Sequence, residues 1–103
     1  MASERAETGS AAAALETGRR VIRAERAGLD ALADSLDPAF AEAVALIGGA
    51  TGRLIVCGVG KSGHVARKVS STFASTGTPS FFLHAAEAGH GDLGIIGSGD
   101  VVL

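Results

Sequence analysis

The stretch GVGKSG at residues 58–63 constrains this chain more than any other. It follows an apolar run, LIVC (54–57), and precedes HVARKVSSTFAST (64–76), whose apolar spacing is helical. Strand, glycine-rich turn and helix in that order is how α/β proteins hold phosphate. Glycines let the backbone come close to the anion, and the helix N-terminus offers N–H groups and the positive end of its dipole. Gly77 then ends the helix, Thr78-Pro79 turns the chain, and SFFLH (80–84) reads as a second strand. With a strand from Arg53 and a helix over 62–76, this is a βαβ unit, which requires a parallel sheet and a right-handed crossover. On the crossover helix Val65, Val69, Thr72 and Phe73 share one face. Ligands of such sheets lie beyond the C-terminal strand ends. GVGKSG and the glycine-punctuated loop AAEAGHGDLGII (85–96), which has room for a short helix, both fall at that edge.

Three phosphate sites compete for GVGKSG. A nucleotide P-loop, GxxxxGK[ST], would need glycine at position 55, where Ile55 stands within the strand, so the loop is too short to wrap a triphosphate. A dinucleotide fingerprint is satisfied by Gly58, Gly60 and Gly63. It also needs an acid at the end of the next strand, and the first carboxylate there, Glu87, lies in the loop. A sugar-phosphate site needs only the glycines, the helix N-terminus and a fixed cation, which Lys61 supplies.

The first half of the chain is helical. Residues 10–36 carry Leu15, Ile22, Leu29 and Leu36 at seven-residue intervals, with Ser10 as N-cap and with Gly18 and Gly28 marking places for a kink. Asp37-Pro38 restarts a helix over 38–47, and Gly48-Gly49 ends it. The expected division is an N-terminal helical segment, 1–52, and the first part of an α/β sugar-phosphate domain, 53–103. The final residues, SGDVVL, read as a turn into a further strand. A parallel strand needs neighbours and covering helices, so the expectation is the front part of a longer protein.

Composition narrows the partners. A net charge of −2 with scattered Lys and Arg leaves no basic stripe for nucleic acid. At 47% hydrophobic residues the chain is too apolar to be disordered, yet its apolar runs are too short to span a bilayer, so no membrane is expected. The N-terminus lacks a basic segment followed by an apolar one. Cys57, the one cysteine, is expected as a buried thiol in the strand, and a reducing cytoplasm fits.

GVGKSGHVARKVSSTFASTG together with FASTGTPSFFLHAAEAGHGDLG closely resembles the sugar isomerase (SIS) family, most narrowly its arabinose-5-phosphate isomerases. The resemblance runs from about Arg53 to Leu103 and implies a doubly wound parallel sheet, present here in part. It implies interconversion of D-ribulose 5-phosphate and D-arabinose 5-phosphate ahead of Kdo, a sugar of lipopolysaccharide. Carried over by position, Lys61 matches the catalytic lysine. Gly60, Ser62, Gly77, Thr78 and His90 match substrate-binding positions, and His84 matches a zinc position, no cofactor being required. Ala85 departs from the proline that often follows that histidine. The family implies a homo-oligomer, a Ser/Thr-rich phosphate loop after the third strand, further glutamates and a histidine downstream, and often CBS domains.

The chemistry asks for such groups. Aldose–ketose isomerisation passes a proton between C1 and C2 through a cis-enediol. A base takes the C–H proton while positive charge or a hydrogen-bond donor steadies the enediolate oxygen. Lys61, His84, Glu87, His90 and Asp92 are the candidates here, and Glu87 and Asp92 also suit loop or helix caps. Two other readings stand beside the isomerase. One is a sugar-phosphate-sensing SIS module that converts nothing, against which residues 1–52 lack a basic recognition helix. The other is a different SIS enzyme acting on another sugar phosphate.

Overall fold

The computed structural model describes residues 9–103. Backbone contacts divide it into a unit ending at Pro38 and a second unit from Ala39 to Leu103.

In the first unit α1 spans Ser10–Ser35 without a break. The helix is not interrupted at Gly18 or Gly28. Each glycine costs a helix about 1 kcal/mol relative to alanine, and the surrounding run of Ala, Leu, Arg and Glu propagates well enough to carry both. The cap differs too: Gly9, at φ 66°, occupies the N-cap position with no side-chain bond, so Ser10 is the first helical residue. Leu15, Ile22, Leu29 and Leu36 are exposed within this chain.

The second unit carries the sheet. Helix α2 covers Pro38–Gly48, so proline takes the first helical position as expected. Strand β1 is Leu54–Gly58, α3 is Gly60–Ser75 and β2 is Ser80–His84. A single turn of helix, α4, spans Ala85–Ala88, a 3-10 turn spans Asp92–Ile95, and β3 is Val101–Val102. The sheet is parallel throughout, in the order β2-β1-β3.

The core is small and lies around β1. Leu54, Ile55 and Val56 are 1%, 0% and 3% exposed, and Leu83 of β2 is also buried. Leu54, Val56 and Ala66 form one cluster, flanked by Ile47, Val69, Phe73, Phe82 and Val101. Crossover helix α3 buries Gly63, Ala66 and Ser70, whereas Val65 is 63% exposed. The expected face is therefore rotated. Val69 and Phe73 belong to it, but small residues rather than Val65 carry the close approach to the sheet. Ser70 is made buriable by Ser80 of β2, whose hydroxyl lies 2.8 Å away. Phe81 and Phe82 point to opposite faces of β2 and each meets an arginine: Arg53 lies 5.9 Å from the Phe81 ring centre and Arg67 lies 4.3 Å from that of Phe82. Cys57 is a free thiol, half-buried rather than buried.

Candidate functional site at the C-terminal edge of the sheet

The register pairs Gly58 with His84, so the end of β1 and the end of β2 meet at one edge. From that edge the chain enters α3 within two residues. Val59 is extended at φ −139°, and Gly60 turns into the helix at φ 62°, a left-handed value that glycine adopts without strain. Gly63 donates its backbone N–H to the Val59 carbonyl at 3.2 Å.

Gly58 and Gly63 make the turn tight. A Cβ on Gly58 would stand 3.0 Å from the Ser62 carbonyl oxygen and 3.1 Å from the Gly63 nitrogen. A Cβ on Gly63 would stand 3.3 Å from the Gly58 oxygen. The strand end and the first helical turn are therefore in backbone contact. Helix α3 starts at Gly60, two residues earlier than expected, so Lys61 and Ser62 stand on its first turn, and both are exposed. No side chain caps this N-terminus. Its leading N–H groups and the Lys61 ammonium thus share one end of one helix, where an anion is favoured.

His84 closes β2 and caps α4: its Nδ1 accepts the Ala86 N–H at 3.2 Å. Its ring meets Phe82 edge-on, with centroids 6.3 Å apart and planes at 81°. Together with Arg67, Phe82 and Glu87 it lines a cavity of about 350 Å³. His90 is exposed on the turn that follows, tied by its N–H to the Glu87 carbonyl at 2.9 Å. Asp92 begins the 3-10 turn, and its side chain lies outside the described residues.

Gly77 and Thr78 are not at this edge. They precede β2, whose first residue Ser80 pairs with Leu54, the first residue of β1. The length of a five-residue strand, roughly 16 Å at about 3.3 Å per residue, separates them from His84. Within one copy of the chain a single sugar phosphate cannot touch both Thr78 and Lys61. Gly77, at φ 103°, ends α3 instead, and the Thr78 N–H donates to the Phe73 carbonyl at 2.9 Å. The family motif marked these two by likeness, although residues just before the second strand of a βαβ unit lie at the opposite edge, as the register bears out.

Zinc at His84 does not fit the residues described. The Nδ1 lone pair is taken by Ala86, and among the described residues no group of three His, Cys, Asp or Glu stands close enough to hold a metal. The residue that motif reading passed over is Arg67. Its spacing in the sequence carries no signal, because its place beside Phe82 and the cavity depends on how α3 lies on β2.

A parallel α/β sheet with a glycine-tight turn into an uncapped helix and a lysine on that helix's first turn is an arrangement that favours an anion. The chain belongs to the SIS family, whose SIS domain model matches residues 49–103. It is 48% identical over 89 residues to an arabinose 5-phosphate isomerase, KdsD, of Pseudomonas aeruginosa, covering 86% of this chain and 27% of that protein. It is 46% identical over 91 residues to arabinose 5-phosphate isomerase GutQ of Escherichia coli K12, covering 88% and 28% respectively. The chain thus spans little more than a quarter of the length of the curated relatives it matches. Among solved structures, c3406 of E. coli CFT073 in complex with arabinose 5-phosphate superposes with a TM-score of 0.82 at 41% identity, over 88% of this chain and 48% of that one.

Proposed function

We propose that the protein carrying this sequence interconverts D-ribulose 5-phosphate and D-arabinose 5-phosphate, and that residues 49–103 supply one wall of its site. The observation that carries this reading is the 0.82 TM-score at 41% identity to a structure that holds arabinose 5-phosphate.

In this reading the exposed start of α3, with Lys61 on its first turn, steadies the oxygen that becomes anionic in the enediolate, and the phosphate goes to the Ser/Thr-rich loop that the resemblance implies. Ser62, on the same turn, donates to a substrate oxygen. His90, on the neighbouring turn, reaches the sugar from the β2 side. The proton moving between C1 and C2 is assigned in this reading to the glutamates or the histidine that the family resemblance implies. Binding the remote phosphate holds the reacting carbons in place and turns affinity into rate. The same reading takes the protein to be a cytoplasmic homo-oligomer whose product leads toward Kdo and lipopolysaccharide. Among the described residues no helix is long and apolar enough to cross a membrane.

The test is to incubate the whole protein with ribulose 5-phosphate and follow arabinose 5-phosphate. Formation of that aldose phosphate, and not of another pentose phosphate, is expected. Tight binding without turnover would replace the isomerase with a sensor.

A further inference from the structure

We propose that His84 is the cap of the 85–88 turn with its proton on Nε2, and that the ring cannot hold a metal ion while that cap stands. The argument begins with one hydrogen bond. The Ala86 N–H donates to His84 Nδ1 at 3.2 Å, so Nδ1 presents its lone pair to the backbone. In a neutral imidazole the proton then sits on Nε2. A metal binds the nitrogen that has a free lone pair. In this tautomer Nε2 has none, and that of Nδ1 is in use.

Either route to a metal breaks the cap. Binding at Nδ1 displaces the Ala86 N–H directly. Binding at Nε2 requires the proton to move from Nε2 to Nδ1 through solvent, with no net release, and it then leaves two N–H donors facing each other. The surroundings favour the capped state as well. Phe82 holds the ring plane edge-on at 6.3 Å, and the Arg67 guanidinium rests 4.3 Å from the same Phe82 ring, placing a cation beside the cavity that His84 lines. A donor Nε2–H next to a guanidinium suits an oxygen acceptor rather than a cation.

His84 is in this way a positioning residue. The turn it caps runs directly into His90, whose N–H is bonded to Glu87 of that turn. Only the consequence for His90 as a sugar contact rests on the proposed isomerase function. The tautomer and the cap do not.

The experiment is proton–nitrogen correlation spectroscopy of the whole protein labelled with 15N in histidine and backbone, with and without added zinc chloride. A His84 ring protonated on Nε2 with a protected Ala86 amide is expected. Zinc should then either leave the His84 signals in place, or shift them while Ala86 exchange quickens about five- to tenfold in step. A ring protonated on Nδ1 overturns the proposal, and so does zinc capture at His84 with Ala86 protection unchanged. Two variants check the cap separately. His84→Asn retains an acceptor and should keep Ala86 protected, whereas His84→Ala should lose about five- to tenfold of that protection. Unchanged exchange in His84→Ala refutes the cap. No arm reads isomerase activity, so failure here and failure of the proposed reaction are separable.

Discussion

The Asp100 carboxylate grips Arg53 at both its backbone and its side chain. One oxygen accepts the Arg53 backbone N–H at 2.6 Å, and the other lies 3.4 Å from the guanidinium and accepts the Gly97 N–H at 2.7 Å. The guanidinium also donates to the Ile95 carbonyl at 2.7 Å. Asp100 thereby joins the residue before β1 to the turn before β3, one step ahead of the Leu54–Val101 pair that starts their register.

This clasp makes a pH prediction. The Arg53 backbone N–H first, and the Gly97 N–H next, hold the Asp100 carboxyl below its ordinary range. A depressed carboxylate stabilises the fold in full above its unfolded value, about 3.9, and loses that contribution as pH falls through the folded value. Asp100→Asn should lower the Tm at neutral pH, since its amide NH₂ would face the Gly97 N–H. The gap to the parent should narrow below about pH 4. Thermal unfolding across pH checks this, and a gap that stays constant would exclude the carboxylate's charge as the cause.

Gly52 sits against the same clasp. A Cβ there would collide with Asp100 Oδ1 and stand 2.8 Å from the Asp100 nitrogen and the Gly99 carbonyl carbon. Backbone cannot step aside as a side chain can. Gly52→Ala should cost about 1–3 kcal/mol. Denaturant unfolding should show a lower midpoint at an unchanged slope.

Gly58→Ala addresses the site more than the fold. Its Cβ would push on the Ser62 carbonyl and the Gly63 nitrogen, moving the first turn of α3, and Lys61 with it, by a few tenths of an ångström. A drop in kcat/KM on the order of tenfold to a hundredfold is expected for the whole protein, out of proportion to any loss of Tm.

Lys61→Ala should separate the two properties more cleanly. The side chain is exposed, so stability should stay within about 0.5 kcal/mol. In the proposed isomerase reaction, loss of support for the enediolate should cut kcat by roughly a hundredfold or more. A change in KM with kcat intact would assign Lys61 to binding alone.

Leu54→Ala tests the core. Leu54 is 1% exposed and packs with Val56 and Ala66. The loss should be about 2–5 kcal/mol, a large share of what so small a core provides. A loss under about 1 kcal/mol would mean that the site collapses around the gap.

Much of this fold was legible because its signals are local. LIVC, SFFLH and the glycines between them mark strand, turn and strand wherever they occur, and Pro38 and Gly77 punctuate helices by their own backbone preferences. Less legible was whatever depends on partners distant in sequence. Val65 and Ala66 differ by one position in a helical pattern, and only the seating of α3 on β1 and β2 decides that Ala66 is buried. The Arg53–Asp100 clasp joins residues 47 apart and has no sequence signature. Gly77 and Lys61 carry the same family motif, yet the length of α3 lies between them.

The strand order β2-β1-β3 has one further consequence. The chain leaves β1 toward one side to make β2, then returns past β1 to make β3 on the other side. Parallel sheets threaded this way take their ligands beyond the carboxyl ends of the strands where the order reverses, which here falls between β1 and β3. The place of GVGKSG at that edge is therefore a product of how the chain is threaded rather than of any side chain. Substitutions at Lys61, His84 or His90 can change what that edge binds or does, but none of them can move it.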